Sequence, residues 1–512
     1  MDAAQAAAWD ERARATAKIP SRVLMESAGR AAAQVLAAEF GQALGHGVLV
    51  AAGHGNNGGD GWVLARALAA AGASVWAAEA PGKRAPDCAA NRALALASGV
   101  ALVDGDEPWP DCGVLVDALL GTGAAGAPRG GIAHLVRRLA AHGAPVTALD
   151  GPTGLDLSTG VAHQACAAAL TITFGGVRRG HLLGRAWCGK VVVVDIGFPP
   201  ADPGWPILVD DARCRAHLPG FDVDMHKGRR GRVLVLGGDQ GMAGAALHAA
   251  RAALEAGAGL VKLAAHPASV AAAQAAAPDV LTVPTALGPS LEPSLNDALD
   301  WADAVVLGPG LGRGPDRTAL VRAVVERCKA PLVLDADALH AGPDVVTSGR
   351  APRVFTPHQA EFGAAFPRWA KGLEADRFGA CRAAAAALPR ALATPVASAL
   401  LLKGVPTVLC GADGGCLVVA SGNPALATGG SGDLLAGLVG AFLARGVGPL
   451  DAAALGAQVL GRGAELAADQ LTVRGTRPAD VLAALPALWR RWAQADAPRP
   501  PVLLTLDPPQ LT

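Results

Sequence analysis

Val48-Leu-Val-Ala-Ala-Gly-His-Gly-Asn-Asn-Gly-Gly-Asp-Gly61 opens on five apolar residues and runs straight into a turn of glycine and asparagine. An apolar run, a glycine-rich turn and then an apolar-periodic stretch predict a strand over 47–52 and a helix over 61–71. Gly53, Gly55 and Gly58 form a literal G-x-G-x-x-G, and Glu79 follows 21 residues after Gly58. That is the outline of a dinucleotide-binding turn with a ribose-binding acid. The turn continues with Gly59, Asp60 and Gly61, which that outline does not require. Asn56 and Asn57 both donate and accept hydrogen bonds, and Asp60 is placed to cap the helix. Such a loop offers oxygens to a cation and amides to an anion. The plain alternative is a tight turn that serves only the fold.

Around this unit, apolar strands alternate with helical stretches. A helix is expected over 23–39, and strands over 73–78, 114–118, 146–150, 169–174 and 191–196, with a helix over 131–141. This alternation signals an α/β fold with a largely parallel sheet, doubly wound and Rossmann-like. Phe198-Pro-Pro-Ala-Asp-Pro-Gly-Trp-Pro206 then places four prolines in nine residues, which breaks helix and central strand alike. The stretch to about Phe221 is polar and irregular, so the domain boundary is placed there. From Gly231 a second α/β series begins. Its strands are expected over 232–236, 259–264, 304–307, 332–335, 354–356, 399–403, 407–410 and 416–419, and a long helix after Gly432. The expected division is 1–215, 221–494 and a Pro-rich tail over 495–512. The halves do not align with each other, which indicates a fusion and not a repeat.

Composition bounds the function. The chain has 512 residues, 51% of them hydrophobic and 17% charged, enough for two or more buried cores. Lys plus Arg and Asp plus Glu are both 44, so nothing suggests a surface for nucleic acid or membrane. Only 4% of residues are aromatic, with no Tyr, which argues against stacking platforms for single strands. The mean hydropathy of +0.32 reflects an alanine-rich composition, not a membrane span: no window supplies the ~18 apolar residues such a span needs. The start of the chain lacks the basic and apolar segments of a signal peptide. Nine scattered cysteines without a CxxC pair fit reduced, buried thiols in a cytoplasmic protein.

Asn423-Pro-Ala-Leu-Ala-Thr-Gly-Gly-Ser-Gly-Asp-Leu-Leu-Ala-Gly437 is the most specific stretch of the second half. Thr428 to Gly432 is small and glycine-rich and leads into an apolar helix. A helix start exposes free amides and a positive dipole end, which suits a phosphoryl group. Asp433 then sits in the first turn. A carboxylate there can take a hydroxyl proton while the amides hold the transferred phosphate. The plain alternative is a capping residue.

Leu24-Met-Glu-Ser-Ala-Gly29, Gly53 to Gly61, Asp117-Ala-Leu-Leu-Gly-Thr-Gly123 and Asp150-Gly-Pro-Thr-Gly-Leu-Asp156 stand in the order and spacing of the NAD(P)H-hydrate epimerase domain. That family is Rossmann-like, and it interconverts the R and S epimers of hydrated NADH and NADPH. The resemblance implies substrate contacts at Asn56, Asn57, Gly58, Gly59 and Asp60, and at Gly121, Thr122, Gly123, Ala124, Ala125, Gly126 and Ala127. It implies a potassium ion near Asn57, Asp117 and Thr153, and a catalytic Asp150 against the damaged nicotinamide ring. Asp117 and Asp150 each end an expected parallel strand, where the crevice of an open sheet binds ligands. The family's aromatic-rich stretch is replaced here by the small residues Gly123 to Gly126.

The second half resembles the ribokinase-like fold and, within it, the ADP-dependent NAD(P)H-hydrate dehydratase. The likeness rests on His226-Lys-Gly228, Leu236-Gly-Gly238, Gly241-Met-Ala-Gly-Ala245, Ala256-Gly-Ala-Gly-Leu260, Gly308-Pro-Gly-Leu-Gly312, Asp335-Ala-Asp-Ala-Leu339, Thr356-Pro-His358 and Lys403-Gly404. It implies that Ala245, Gly312, His358 and Asp433 face the hydrated dinucleotide, with Asp433 catalytic. It also implies that Lys403, Gly404, Val405, Pro406, Thr407 and Gly432 hold the adenine nucleotide. The ring hydroxyl would be phosphorylated from ADP with Mg2+ on the phosphates, and loss of phosphate would restore the double bond. Gln359-Ala360 and Val405-Pro406 depart from the family's usual pairs, and Pro406 removes an amide. The expected substrates are NADHX, NADPHX and ADP, with neither nucleic acid nor membrane as partner, and a homo-oligomer is expected. Competing readings are a ribokinase-like kinase of a vitamin-precursor alcohol, a nucleotide-binding sensor, and an NAD dehydrogenase resting on the lone G-x-G-x-x-G.

Overall fold

The computed structural model describes residues 1–388, 398–494 and 499–512. The chain divides into two compact units, the first beginning at Met1 and the second at Pro206. In the first, the strands are β1 (Val48–Ala52), β2 (Val75–Glu79), β3 (Ala101–Val103), β4 (Val114–Ala118), β5 (Val146–Leu149), β6 (Leu170–Phe174) and β7 (Lys190–Val194). The second holds β8 (Ile207–Leu208), β9 (Arg232–Leu236), β10 (Leu260–Ala265), β11 (Leu281–Pro284), β12 (Ala304–Leu307), β13 (Leu332–Leu334), β14 (Arg353–Phe355), β15 (Ala399–Leu402), β16 (Thr407–Gly411) and β17 (Cys416–Val419). The last strand, β18 (Val502–Leu506), returns to the first sheet.

The first sheet runs β18-β7-β6-β5-β4-β1-β2-β3, parallel throughout except for β18. Val48 pairs with both Val75 and Val114. The chain order therefore reverses between β1 and β4, and the crevice beyond their carboxyl ends is the place where open α/β sheets bind ligands. β1 and β4 are buried at every residue, the continuous apolar pattern of strands covered on both faces. The second sheet runs β11-β10-β9-β12-β13-β14-β15-β16-β17-β8. It is parallel from β11 to β15, and β16 is antiparallel to both of its neighbours. Its core gathers around the helix Ser431–Ala444, whose residues 434–443 are all buried.

Three expectations are corrected. The helix after β1 spans Asn56–Ala70, five residues earlier than expected, with Gly55 as its N-cap, so Asp60 lies inside the helix and caps nothing. The glycines are there for close approach. A Cβ on Gly58 would stand 2.0 Å from the Gly53 carbonyl, and one on Gly61 2.5 Å from Ala118 Cβ. The irregular stretch before Phe221 contains β8, which pairs with β17, and a helix Asp211–His217 capped by Asp210. The Pro-rich 495–512 segment is not merely a tail. Its residues 495–498 lie outside the described residues, but Val502–Leu506 completes the first sheet against β7. Helices at Ala3–Ala15, opened by a capping box of Asp2 and Gln5, and at Pro86–Ala97, opened by its proline, were not expected. All nine cysteines are buried and unpaired. Among the described residues, no helix is long and apolar enough to cross a membrane.

Candidate active sites

Asp150 follows β5 and adopts φ +63°, a left-handed conformation that Asp tolerates better than most side chains. Its backbone is pinned from both sides: its amide donates to Ile172 O at 2.8 Å, and His181 Nε2 donates to its carbonyl at 2.7 Å. His181 Nδ1 accepts from the Arg178 amide at 3.1 Å, which fixes this tautomer. Burial and then Arg178 push the imidazole down to about 4, so it is neutral. The Asp150 carboxylate is buried and accepts from the Thr122 amide at 2.7 Å, from the Thr122 hydroxyl, from the Thr173 hydroxyl at 3.3 Å and from Arg178 Nη2 at 3.4 Å. Burial alone would raise this carboxyl. Arg178 and the Thr122 hydrogen bonds overcome it and hold Asp150 below the usual carboxylate range.

Gly121 brings Asn57 and Asp150 together. A Cβ at Gly121 would lie 3.1 Å from Asp150 Oδ2 and 3.4 Å from Asn57 Cβ. Asn57 is buried, and neither Nδ2 nor Oδ1 has a partner among the described residues. A buried amide with both ends free, beside an ionised carboxylate, marks the seat of a polar ligand. Asp60, on the same helix, is pushed well above the usual range by burial first and then by Asp150 and Asp10. Its carboxyl is thus shifted in the direction opposite to that of Asp150.

Asp117, near the end of β4, accepts from the Thr153 amide and hydroxyl, each at 2.7 Å, and from the Leu119 amide at 3.2 Å. Thr153 Oγ1 in turn accepts from the Leu120 amide at 3.0 Å. Burial raises this carboxyl while those bonds pull it back. Of the three residues implied for a cation, Asp117 and Thr153 are thus in direct contact, and Asn57 stands beside Gly121 and Asp150. The expected substrate loops divide. Gly58 and Gly59 are used in packing, against Gly53 and Met25, whereas Asn56 is exposed. Thr122 turns in to Asp150, while Gly123, Ala125, Gly126 and Ala127 are exposed and Ala124 is half-buried.

The second site lies at the start of Ser431–Ala444. Gly430 has φ +102°, and a Cβ there would stand 3.1 Å from His248 and from Pro478. This turn delivers the first-turn amides of Gly432 and Asp433, which have no helical acceptor. Four further charged groups converge on it from other segments. Lys403 Nζ donates to Asp335 Oδ1 at 3.0 Å and lies 3.4 Å from Glu361 Oε2. Thr356 Oγ1 donates to the same Asp335 oxygen at 2.8 Å. Asp337 accepts from the Gly312 amide at 3.0 Å and from Arg313 Nε at 2.7 Å. Burial first, then Asp335, with Asp337 and Glu361 adding and Lys403 opposing, push the Asp433 carboxyl up to about 7.

Asp433 is thus one of four carboxyls at this turn, with Asp335, Asp337 and Glu361. Ala245 stands against Gly310, where a Cβ would lie 3.2 Å from Ala245 Cβ, and the Gly312 amide donates to Asp337 at 3.0 Å. His358 caps the helix Gln359–Ala365 through Nδ1, and its ring leaves Nε2 3.3 Å from Glu361 Oε1. In the segment from Lys403 to Thr407, the Lys403 side chain turns to Asp335, Glu361 and Gly432. Val405 is 78% exposed, and Thr407 Oγ1 donates to Gly404 O at 3.0 Å.

Comparison with known proteins decides what these sites belong to. Residues 233–487 match the family profile described as NAD(P)H-hydrate dehydratase, and residues 21–180 that of the YjeF-related protein N-terminus. The bifunctional NAD(P)H-hydrate repair enzyme of Salinibacter ruber is 37% identical over 87% of this chain and 88% of its own. Those of Moorella thermoacetica and Escherichia coli are each 34% identical, over 96% and 90% of this chain and 96% and 88% of theirs. The chain belongs to the bifunctional NAD(P)H-hydrate repair enzymes. The second unit is also similar to the ADP/ATP-dependent NAD(P)H-hydrate dehydratase from Bacillus subtilis, co-crystallised with ATP and Mg2+. That structure is 27% identical, covers 56% of this chain and 99% of that one, and has a TM-score of 0.50.

In these repair-enzyme units, the sequence singles out Asp150 and Asp433 but not the residues packed around them. Arg178, His181 and Thr173 around Asp150, and Asp335, Asp337 and Glu361 around Asp433, received no role. The signal was present. Phe174-Gly-Gly-Val-Arg-Arg-Gly-His181 follows directly on β6, and Asp335 directly on β13, both at the crevice ends of parallel strands.

Proposed function

We propose that the first unit interconverts the R and S epimers of NADHX and NADPHX, and that the second uses ADP to convert the S epimer to NAD(P)H, AMP and phosphate. The observation that carries this reading is the placement of Asp433 in the first turn of the helix beyond Gly430, with its carboxyl near neutrality. A base in that range takes a proton from the ring hydroxyl as the hydroxyl oxygen attacks the β-phosphorus of ADP. The bond to AMP breaks, and the amides of Gly432 and Asp433 face the charge on the transferred group. The ring then loses a proton, phosphate leaves and the double bond forms. Phosphate departs far more readily than hydroxide, which is what the nucleotide contributes. Ala245, Gly312 and His358 would face the dinucleotide. Gly432 with Lys403, Gly404, Val405, Pro406 and Thr407 would hold the nucleotide, and Mg2+ would travel with its phosphates.

In the first unit, Asp150 would be the acid–base group at the ring, kept ionised by Arg178 and Thr122. The free Nδ2 of Asn57 beside it supplies a donor for the substrate. A potassium ion belongs to the same proposal. Asn57, Asp117 and Thr153 offer only oxygen and a single formal negative charge, which suits a hard monovalent cation, and the unpartnered Asn57 Oδ1 is left for it. Potassium would steady the loops after β4 and β5. A homo-oligomer in the cytoplasm, where the nicotinamide pool is used, completes the proposal.

The test is to supply S-NADHX and ADP to the purified chain and to Asp433→Asn, and to follow reduced nicotinamide by absorbance with AMP and phosphate by chromatography. Stoichiometric NADH, AMP and phosphate from the parent and almost none from the variant are expected. NADH formed without AMP, or formed equally by both proteins, would refute the assignment.

A further inference from the structure

We propose that Lys403 is a positioning residue of the dehydration site: its ammonium gathers Asp335 and Glu361 behind the Gly430–Asp433 turn and so sets the pH at which Asp433 is available as a base. This rests on the reading of Asp433 as that base, and it gives Lys403 a task different from holding the nucleotide.

The placement is fixed from several directions. Lys403 follows β15, and its amide donates to Pro357 O at 2.9 Å, which ties it to the loop carrying Thr356 and His358. Its Nζ reaches Asp335, at the end of β13, and Glu361, in the first turn of Gln359–Ala365. Those two carboxylates are 1% and 8% exposed and Lys403 21%, so little water screens the three. A Cβ on Gly432 would lie only 3.3 Å from Nζ and 3.9 Å from Asp335 Oδ2. The ammonium thus abuts the turn that carries Asp433, and glycine is what lets it approach.

The groups facing Asp433 come from every neighbouring element. Asp335 comes from the end of β13, Asp337 from the turn Ala336–Ala341, Glu361 from the start of Gln359–Ala365 with His358 3.3 Å from it, and Lys403 from the end of β15. His248 lies across Gly430. The acids Asp335, Asp337 and Glu361 all favour a protonated Asp433, and Lys403 opposes them. Without its charge three acids would act unopposed, and Asp433 would hold its proton to higher pH. Lys403 has three N–H groups. Two carboxylates leave one for a nucleotide phosphate, so its charge and its contact are separable.

The experiment compares the full chain with Lys403→Met and Glu361→Gln. The rate of S-NADHX dehydration at saturating ADP is measured against pH, with KM for ADP at each pH and a thermal melt of each protein. In Lys403→Met the acidic limb of the kcat profile is expected to move up by about one pH unit or more, the scale on which a close opposite charge acts. In Glu361→Gln, which removes a like charge and frees the ammonium, it should move down. A raised KM for ADP in Lys403→Met with its limb unmoved would overturn the proposal and leave a nucleotide contact alone. Should Lys403→Met not fold, an unmoved or upward limb in Glu361→Gln would overturn it equally. Failure of the Asp433 reading is recognised separately, by full dehydration in Asp433→Asn.

Discussion

Thr122 and Asp150, 28 residues apart, meet twice: the Thr122 amide donates to Asp150 Oδ2 at 2.7 Å, and its hydroxyl donates to the same oxygen. The loop after β4 thereby holds the carboxylate that ends β5, and Arg178 approaches both, with Nε 3.1 Å from Thr122 Oγ1 and Nη2 3.4 Å from Asp150 Oδ1.

Arg178 is therefore expected to keep Asp150 ionised. In Arg178→Met, burial is left with less opposition and the carboxyl rises. Epimerisation should lose activity first at the acid end, its acidic limb moving up, while Arg178→Lys keeps most of the parent profile. Because the folded carboxyl lies below its unfolded value of roughly 4, Asp150 stabilises the fold above that value, and the contribution is lost as pH falls through the lower folded value. Thermal melts between pH 2 and about 5 should show Asp150→Asn less acid-sensitive than the parent.

Asp433 has the opposite sign. Its folded carboxyl is raised to about 7, so the fold binds a proton that the unfolded chain has released, and stability falls as pH rises from roughly 4 to 7. Asp433→Asn should melt higher than the parent at pH 8 and lose about 10²–10⁴ in dehydration rate, with epimerisation intact. Parent dehydration should climb with pH through about 7. A flat profile across that range, or a variant that melts lower at pH 8, would contradict the assignment.

Asp117→Ala removes the acceptor of two Thr153 bonds and the Leu119 bond at once. Leaving those buried groups unpaired should cost about 1–3 kcal/mol each at most, so the variant folds with a lowered Tm. Substrate binding should weaken and any potassium dependence should disappear. The check is the epimerisation rate in potassium against choline chloride at constant ionic strength.

The C-terminal strand belongs to the first sheet, and Arg185 Nη2 donates to Leu506 O at 3.1 Å. Ending the chain at Gln494 should bare the edge of β7 and promote association. Light scattering of the shortened chain should rise relative to the parent. For the same reason, a fragment of the second unit should begin at Pro206. One beginning at Phe221 lacks β8 and the helix Asp211–His217.

Most strands were legible because each is a short apolar run ended by glycine or an acid; Asp150 was legible because it stands at such an end, and Asp433 because a glycine-rich turn leads it into an apolar helix. What was hidden depends on contacts between distant segments. Asp60 reads as a cap because glycine signals a turn, yet Gly58 and Gly61 are required by backbone and side-chain approach at 2.0 and 2.5 Å within a helix. Val502–Leu506 reads as part of a tail because prolines surround it, and its partner β7 is some three hundred residues away. Lys403 reads as a nucleotide contact from its neighbours in sequence. Its charge partners, Asp335 after β13 and Glu361 in the helix Gln359–Ala365, come from two other segments, and no local pattern records that meeting.

The central claim, two separate chemistries centred on Asp150 and Asp433, is tested most directly by supplying R-NADHX with ADP. The reaction is followed by the absorbance of reduced nicotinamide, in Asp150→Asn and in Asp433→Asn, singly and mixed. Each variant alone should leave the R epimer unconverted, and the mixture should convert it, because the product of one site diffuses to the other. The cleanest contradiction would be rapid conversion of R-NADHX by Asp150→Asn alone; a mixture as inert as its components would also overturn the assignment of one activity to each aspartate.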